Sequence, residues 1–184
     1  MSTTSTFVYP MKPSSFFPAS FKLSDYYFEP KYDGWRIIYD GSCFWSRRGK
    51  VLPWAALEKF AVYTDGLLLD GELVCVDGRA RITSNKDNPE KYKIYWFDVI
   101  IPDVSIEKRR KILQNLLQEN NQLDRLIYRF EAADESYFLT LLNMLCQNRE
   151  RDQIEGIVFK RRRSKYMISE GCSVITGDWI KLKF

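Results

Sequence analysis

The chain has 184 residues, of which 45% are hydrophobic and 15% aromatic; 28 Lys and Arg against 24 Asp and Glu give a formal net charge of +4. That length suits one domain with a sizeable core, and the composition is that of a globular protein rather than a disordered or fibrous one. There is no His, which excludes Ser-His and Cys-His catalysis and every His-ligated metal site.

Residues 1–24 are rich in Ser, Thr and Pro and carry Phe7, Phe16, Phe17 and Phe21. They read as an irregular N-terminal arm that lays aromatics on a body spanning 25–184. From Tyr26 the pattern is that of strands. Trp35–Tyr39 and Cys43–Arg47 flank Asp40-Gly41, a hairpin signal because both turn residues tolerate positive φ. Pro53 is preset for a first helical turn, which predicts a helix to about Tyr63. Leu67–Val76 and Arg79–Thr83 flank Asp77-Gly78 and predict a second hairpin, and Tyr92–Ile101 a further strand. Ser105 caps a predicted helix to about Asn120, with Ile106, Leu113, Leu116 and Leu117 mostly at helical spacing. Leu126–Phe130 reads as a short strand. Asp134 caps a second helix with Phe138, Leu141, Leu142 and Leu145 on one face. Ile154–Lys160, Lys165–Ile168 and Trp179–Phe184 close the chain as strands. Hairpins predominate, so the expected class is α+β, with antiparallel β-sheets flanked by helices.

The four cysteines, Cys43, Cys75, Cys146 and Cys172, form no C-x-x-C pair and read as reduced thiols of a soluble, intracellular protein. Met1–Thr6 is polar and lacks an apolar signal core. No apolar stretch approaches the roughly 20 residues that span a bilayer, so no membrane partner is expected.

The most informative segment is Glu29-Pro30-Lys31-Tyr32-Asp33-Gly34-Trp35-Arg36. Alone, a K-x-D-G is better read as a surface turn. Five further clusters change that: Ser46-Arg47-Arg48-Gly49-Lys50, Asp70-Gly71-Glu72-Leu73, Trp96-Phe97-Asp98-Val99, Ile154-Glu155-Gly156-Ile157-Val158-Phe159-Lys160 and Trp179-Ile180-Lys181-Leu182-Lys183. Each lies on or beside a predicted strand. In this order they resemble the motif set of the covalent nucleotidyltransferases, which comprise ATP-dependent DNA ligases, RNA ligases and mRNA-capping guanylyltransferases. The E-x-K-Y-D-G-x-R form looks most like the DNA ligase branch, and the resemblance covers residues 25–184.

The resemblance implies an ATP-grasp-like adenylation domain and a role for each motif residue. Lys31 matches the Lys that accepts AMP from ATP as a phosphoramidate. An unperturbed Lys titrates at about 10.4, so such a nucleophile needs desolvation or nearby positive charge to lose its proton. Asp33 and Gly34 shape the adjoining turn, and Asp33 is a secondary candidate metal ligand beside Glu155, which matches the Glu that places Mg²⁺ (or Mn²⁺). Glu29 and Tyr32 fall among the nucleotide contacts, Glu29 toward the adenine. Arg36 and Arg47 match arginines that contact the nucleotide and the 5′-phosphate of a nick, with Arg48 a competitor for the part of Arg47. Glu72 matches the Glu that engages the ribose hydroxyls, and Phe97 the aromatic that stacks on adenine. Its neighbours Tyr95 and Trp96 leave open which ring faces the pocket. Lys181 and Lys183, two apart and so on one strand face, match the paired lysines that contact the α-phosphate. Lys160 is a further phosphate candidate. The basic run Lys160–Lys165 reads as a solvated turn, as a contact for a phosphate backbone or as a nuclear-import patch.

The implied activity is ATP-dependent sealing of 5′-phosphate/3′-hydroxyl nicks in duplex DNA, with RNA open as a substrate and DNA repair or replication as the setting. An RNA ligase or capping enzyme is the first alternative, and an inactive nick-binding module the second. Family members follow this core with an OB-fold domain that orients the pyrophosphate and clamps DNA. None is expected within these residues, so a partner or a further segment would supply that function, or the protein is a minimal ligase. A monomer is expected.

Overall fold

The computed structural model describes residues 7–184; the polar start over Met1–Thr6 lies outside the described residues. Among these described residues nine strands form two sheets. β1 (Lys12–Ser14), β2 (Tyr26–Tyr32), β7 (Phe130–Glu131), β8 (Ile154–Arg161) and β9 (Ile175–Lys183) make one, in the order β1-β9-β8-β2-β7. β3 (Trp35–Tyr39), β4 (Phe44–Ser46), β5 (Leu69–Cys75) and β6 (Tyr92–Val99) make the other, in the order β4-β3-β5-β6. All pairings are antiparallel except β1 with β9. Three helices accompany them: α1 (Ile106–Glu119), α2 (Glu135–Gln147) and the single turn α3 (Arg149–Asp152).

Local chemistry explains the elements that the sequence made legible. Between β3 and β4, Asp40 Oδ1 accepts the backbone N–H groups of Ser42 at 2.8 Å and Cys43 at 2.7 Å, and Gly41 takes a φ of 90°. The Asp side chain thus closes the turn and glycine absorbs the positive φ. Asp134 caps α2 through the Tyr137 N–H at 2.8 Å. Ser105 occupies the N-cap of α1 without a side-chain cap bond. This helix is held instead by packing: Ile106, Leu113, Leu116 and Leu117 are buried, the three leucines against the β3–β6 sheet. A bidentate pair from Arg109 to Asp98, at 2.8 and 3.0 Å, ties α1 to β6.

Four expected elements differ. After Pro53 only a 3₁₀ stretch, Ala55–Phe60, forms in place of a helix to Tyr63; burial of Ala56, Leu57 and Phe60 holds it without an α-helical ladder. Gly78 makes the expected turn with φ 90°, but Arg79–Arg81 is a 3₁₀ turn rather than a strand. On its side away from β3, β5 pairs antiparallel with β6, with Cys75 opposite Tyr92, so residues 79–91 form an excursion between them. Leu126 makes an isolated bridge to Trp96, and the strand proper is only Phe130–Glu131. Tyr166 and Lys165 likewise make single bridges, to Pro102 and Ser105. In the arm, Lys12–Ser14 adds to the first sheet, and Phe21 stacks on Tyr26 with ring centroids 4.8 Å apart. No helix among the described residues is long and apolar enough to cross a membrane.

Three apolar clusters organise the whole. One lies under the β3–β6 sheet against α1, one between the β2–β8 sheet and α2, and one, with Met11, Ile38, Ile100, Tyr166 and Trp179, where the two sheets meet. A cleft opens along that junction.

Candidate active site

The cleft has a volume of about 670 Å³ and takes its walls from both sheets. β2, β8 and β9 furnish one wall in register. Glu29 lies opposite Val158, which lies opposite Lys181; Lys31 lies opposite Gly156, which lies opposite Lys183. Alternate residues on each strand therefore reach the same face. An irregularity at Lys31/Tyr32 pairs Lys31 with Gly156 but Tyr32 with Ile154, leaving Glu155 as the extra residue of β8. Such a bulge redirects a side chain. Glu155 thereby reaches the ammonium of Lys31 with Oε1 and that of Lys183, at 2.6 Å, with Oε2. Burial alone would raise the titration point of the Glu155 carboxyl, but the two lysines outweigh it and hold the group below the usual carboxylate range.

Gly34 lets the two walls approach: a Cβ there would stand 2.3 Å from the Leu73 carbonyl oxygen and 3.0 Å from Glu72 Cγ. Glu72, on β5, faces Lys31 across the gap and has no side-chain hydrogen-bond partner among the described residues. Desolvation pushes its carboxyl up to about 7, against the pull of Lys31 and Arg36. Strand alternation resolves the aromatic run. Trp96 is fully buried under the second sheet, whereas Tyr95 and Phe97 point to the opposite face. Phe97 lines the cleft, and Tyr95 stacks on Tyr32 with centroids 3.9 Å apart and planes within 3°.

Glu29 is 1% exposed and forms ion pairs with Lys160 and Arg129, each at 2.7 Å. Burial raises its titration point, and Lys160, Arg129 and Arg110 more than reverse that. The Lys160 ammonium sits 4.7 Å from the centroid of Phe97 and 4.2 Å from that of Trp179. Lys160 thus belongs to the cleft floor rather than to a solvated turn. The rest of the basic run is largely matched by acids: Arg161 with Asp178, Arg162 with Glu131 and Lys165 with Asp103.

Arg36 lines the cleft and lies 5.2 Å from the Phe97 centroid, but most of its donors point into the protein. Nε donates to Asp70 at 2.8 Å, Nη2 to Asp70 and, at 3.1 Å, to the Tyr166 hydroxyl, and Nη1 to the Met11 carbonyl at 2.6 Å. Arg47 and Arg48 both line the cleft, as does Lys181. Asp33 stands apart. It pairs with Arg79 at 3.3 Å and lines a neighbouring cleft of about 450 Å³, shared with Glu155, Lys183 and Arg149. Among the described residues no three carboxylate or thiol groups gather into a cation cage. Magnesium is commonly held by one or two carboxylates together with substrate phosphates and water. Glu155 beside the cleft fits that donor pattern.

The structure thus brings Lys31, Glu29, Tyr32, Arg36, Glu72, Phe97, Glu155, Lys181, Lys183, Arg47 and Arg48 to one cleft and leaves Asp33 outside it. Sequence reasoning gave Trp179 as a motif member without a role, and missed Arg129, Tyr166, Arg79 and Lys12. Their only signal was type, a lone charge or ring in a motif-free stretch or beside one.

The model of the ATP dependent DNA ligase domain matches residues 13–183. Among curated proteins, no sequence matches. A structure described as a Lig E DNA ligase, from work on DNA binding with a minimal scaffold, aligns with a TM-score of 0.70 at 18% identity, covering 90% of this chain and 64% of that one. The ligase domain of M. tuberculosis LigD gives 0.70 at 23% identity, covering 96% and 59%. A Chlorella virus DNA ligase-adenylate gives 0.68 at 15%, covering 95% and 67%. At these identities the likeness is one of fold, and the chain spans about three fifths of the length of the first two. The family match, over nearly the whole sequence, places this chain in the ATP-dependent DNA ligase domain family.

Proposed function

We propose that the chain carries out ATP-dependent ligation of nicked duplex DNA through a covalent Lys31 adenylate. The observation that carries this reading is the grouping of Lys31, Glu155 and Lys183 by the β8 bulge, with Glu72 facing Lys31 across the same cleft. In the first step the neutral Lys31 amine bonds through Nζ to the α-phosphorus of ATP and gives up a proton to solvent, and the bond to the bridging oxygen breaks to release pyrophosphate. In the second, a 5′-phosphate oxygen of the nick takes the adenylate phosphorus and the P–N bond breaks. In the third, the 3′-hydroxyl bonds to the 5′-phosphorus, loses its proton and expels AMP.

The residues divide this work by chemistry. Lys183 and Lys181 place positive charge where the α-phosphate oxygens gain negative charge. Glu72 accepts from the ribose hydroxyls, and Phe97 offers the adenine an apolar face over Lys160. Arg47 and Arg48 offer guanidinium forks to phosphate. Glu155 holds Lys31 until the nucleotide arrives, and it is the residue that would hold Mg²⁺ or Mn²⁺, which neutralises charge on the reacting phosphates.

The test is labelling. With α-labelled ATP and Mg²⁺, the chain should gain an acid-labile, hydroxylamine-sensitive adenylate, and intact mass should rise by one AMP. Lys31→Ala should abolish the label while leaving the melting temperature unchanged. Label that persists in Lys31→Ala overturns the assignment of the nucleophile. Label from GTP instead of ATP would mark a capping-type enzyme.

A further inference from the structure

Nine cations line the main cleft, and five are committed to acids: Lys31 and Lys183 to Glu155, Arg36 to Asp70, Arg79 to Asp33 and Lys160 to Glu29. The other four, Lys12, Arg47, Arg48 and Lys181, have no acidic partner within 4.0 Å among the described residues. Their charge is left for whatever enters. Three of the four stand in the motif segments. Lys12 does not: it comes from the N-terminal arm.

The placement of Lys12 is built rather than incidental. Its backbone N–H donates to the Val174 carbonyl at 2.7 Å, and it pairs with Ile175 at the start of β9. The preceding residue, Met11, is fully buried, and its sulfur receives the Met167 N–H at 3.3 Å. The Met11 carbonyl accepts from Arg36 Nη1 at 2.6 Å. The same guanidinium is fixed by Asp70 and by the Tyr166 hydroxyl, which itself donates to Asp70 at 2.5 Å. The chain on both sides of Lys12 is thereby anchored to β3, β5 and β9, while its side chain is left partly exposed on the cleft wall.

The geometry points to Lys12 as a phosphate-binding residue of the ligation reaction, brought to the cleft by β1 and positioned by Arg36, Asp70 and Tyr166 through the Met11 carbonyl. This rests on the ligase reading above. The ligand is a phosphate oxygen, from either of two sources: the outer phosphates of ATP, or the 5′-phosphate of the nick. An ammonium suits both, as a point charge that follows phosphate without requiring a fixed fork. It also assigns Arg36 a second task, since donors turned toward Met11 and Asp70 serve the arm rather than the nucleotide.

The experiment compares four ligands on the full chain by equilibrium binding: ATP against AMP, and a 5′-phosphorylated nick against a 5′-hydroxyl nick. Lys12→Ala should weaken one phosphorylated ligand by about tenfold, the loss expected for one charge-assisted hydrogen bond, and leave its less phosphorylated counterpart unchanged. An effect on ATP assigns the triphosphate, and an effect on the nick assigns the 5′-phosphate. Lys12→Arg should restore most of the loss. Tyr166→Phe should weaken the same ligand in the wild-type background and not in Lys12→Ala, because the hydroxyl acts through Lys12. A wild-type chain that binds none of the four ligands overturns the ligase reading itself. Normal wild-type binding with Lys12→Ala within twofold for all four overturns only this inference. Equal effects of Tyr166→Phe in both backgrounds overturn the positioning route.

Discussion

Glu72 is the residue whose chemistry most directly sets a pH dependence. Its carboxyl is pushed from the usual 4.5 up to about 7 because the cleft desolvates it more than Lys31 and Arg36 compensate. A group that binds its proton more tightly in the folded state stabilises that state at low pH. The contribution is fully present below about 4.5 and is lost as pH rises through about 7. A tenfold gain in proton affinity corresponds to about 1.36 kcal/mol, and residual solvent contact of Glu72 reduces the whole to about 2 kcal/mol. Chemical denaturation at pH 5 and pH 8 should therefore show wild type losing about 2 kcal/mol more than Glu72→Gln; equal losses would contradict the burial argument. Nucleotide binding should run the other way. In the role proposed for Glu72, only the ionised carboxylate can accept from both ribose hydroxyls, so wild-type affinity should fall as pH drops through about 7, and Glu72→Gln should be weak and flat across that range.

At the scale of elements, the β8 bulge does most to assemble the site. Gly156 permits it, because a Cβ there would lie 2.0 Å from the Leu182 carbonyl oxygen and 2.9 Å from Lys183 Cα. Gly156→Ala must push β9 away from β8. The overpacking should lower stability by about 1–3 kcal/mol, with Tm lower by several degrees, and the labelling rate should fall more steeply because Lys183 and Glu155 lose their register with Lys31. An unchanged labelling rate would separate the bulge from the chemistry. The same scale shows what the sequence made legible. The Asp40-Gly41 hairpin and the Asp134 cap depend on bonds closed within a few residues, and both were readable. The strand expected at Arg79–Thr83 failed because the edge of β5 away from β3 pairs with β6, starting at Tyr92, across the 79–91 excursion. The helix expected after Pro53 failed because burial of Ala56, Leu57 and Phe60 was met by a shorter 3₁₀ turn. The cleft residues Lys31, Glu72, Glu155, Lys181 and Lys183 were legible as motif members. Arg129 and Tyr166 were not, since their partners Glu29 and Asp70 lie about a hundred residues away in the chain and only the closed sheets bring them together.

The whole molecule is two sheets meeting along the cleft, with one buried ion pair pinning α1 to β6. Arg109 and Asp98 are 0% and 1% exposed, and Arg109 also donates to the carbonyls of Val104 at 2.5 Å and Ser164 at 3.1 Å. Removing one partner leaves a buried charge, so Arg109→Met should cost about 3–5 kcal/mol, while the double change with Asp98→Leu should recover much of that loss; equal destabilisation by single and double variants would locate the cost in the lost carbonyl contacts instead. Charge is distributed on the same global plan. A net charge of only +4 predicts little general affinity for nucleic acid, yet the uncommitted cations at the cleft, Arg47, Arg48 and Lys181 among them, lie on one opening. Each phosphate neutralised releases condensed counterions, and the logarithm of affinity falls with the logarithm of salt in proportion to the number of contacts. Replacing both Arg47 and Arg48 with Ala should therefore lower the magnitude of that salt slope for nicked duplex by about 1–2. Replacing Arg161 and Lys165, whose charges are already met by Asp178 and Asp103, should leave the slope near the wild-type value. The reverse result would move the nucleic-acid face from the cleft to the β8–β9 connection.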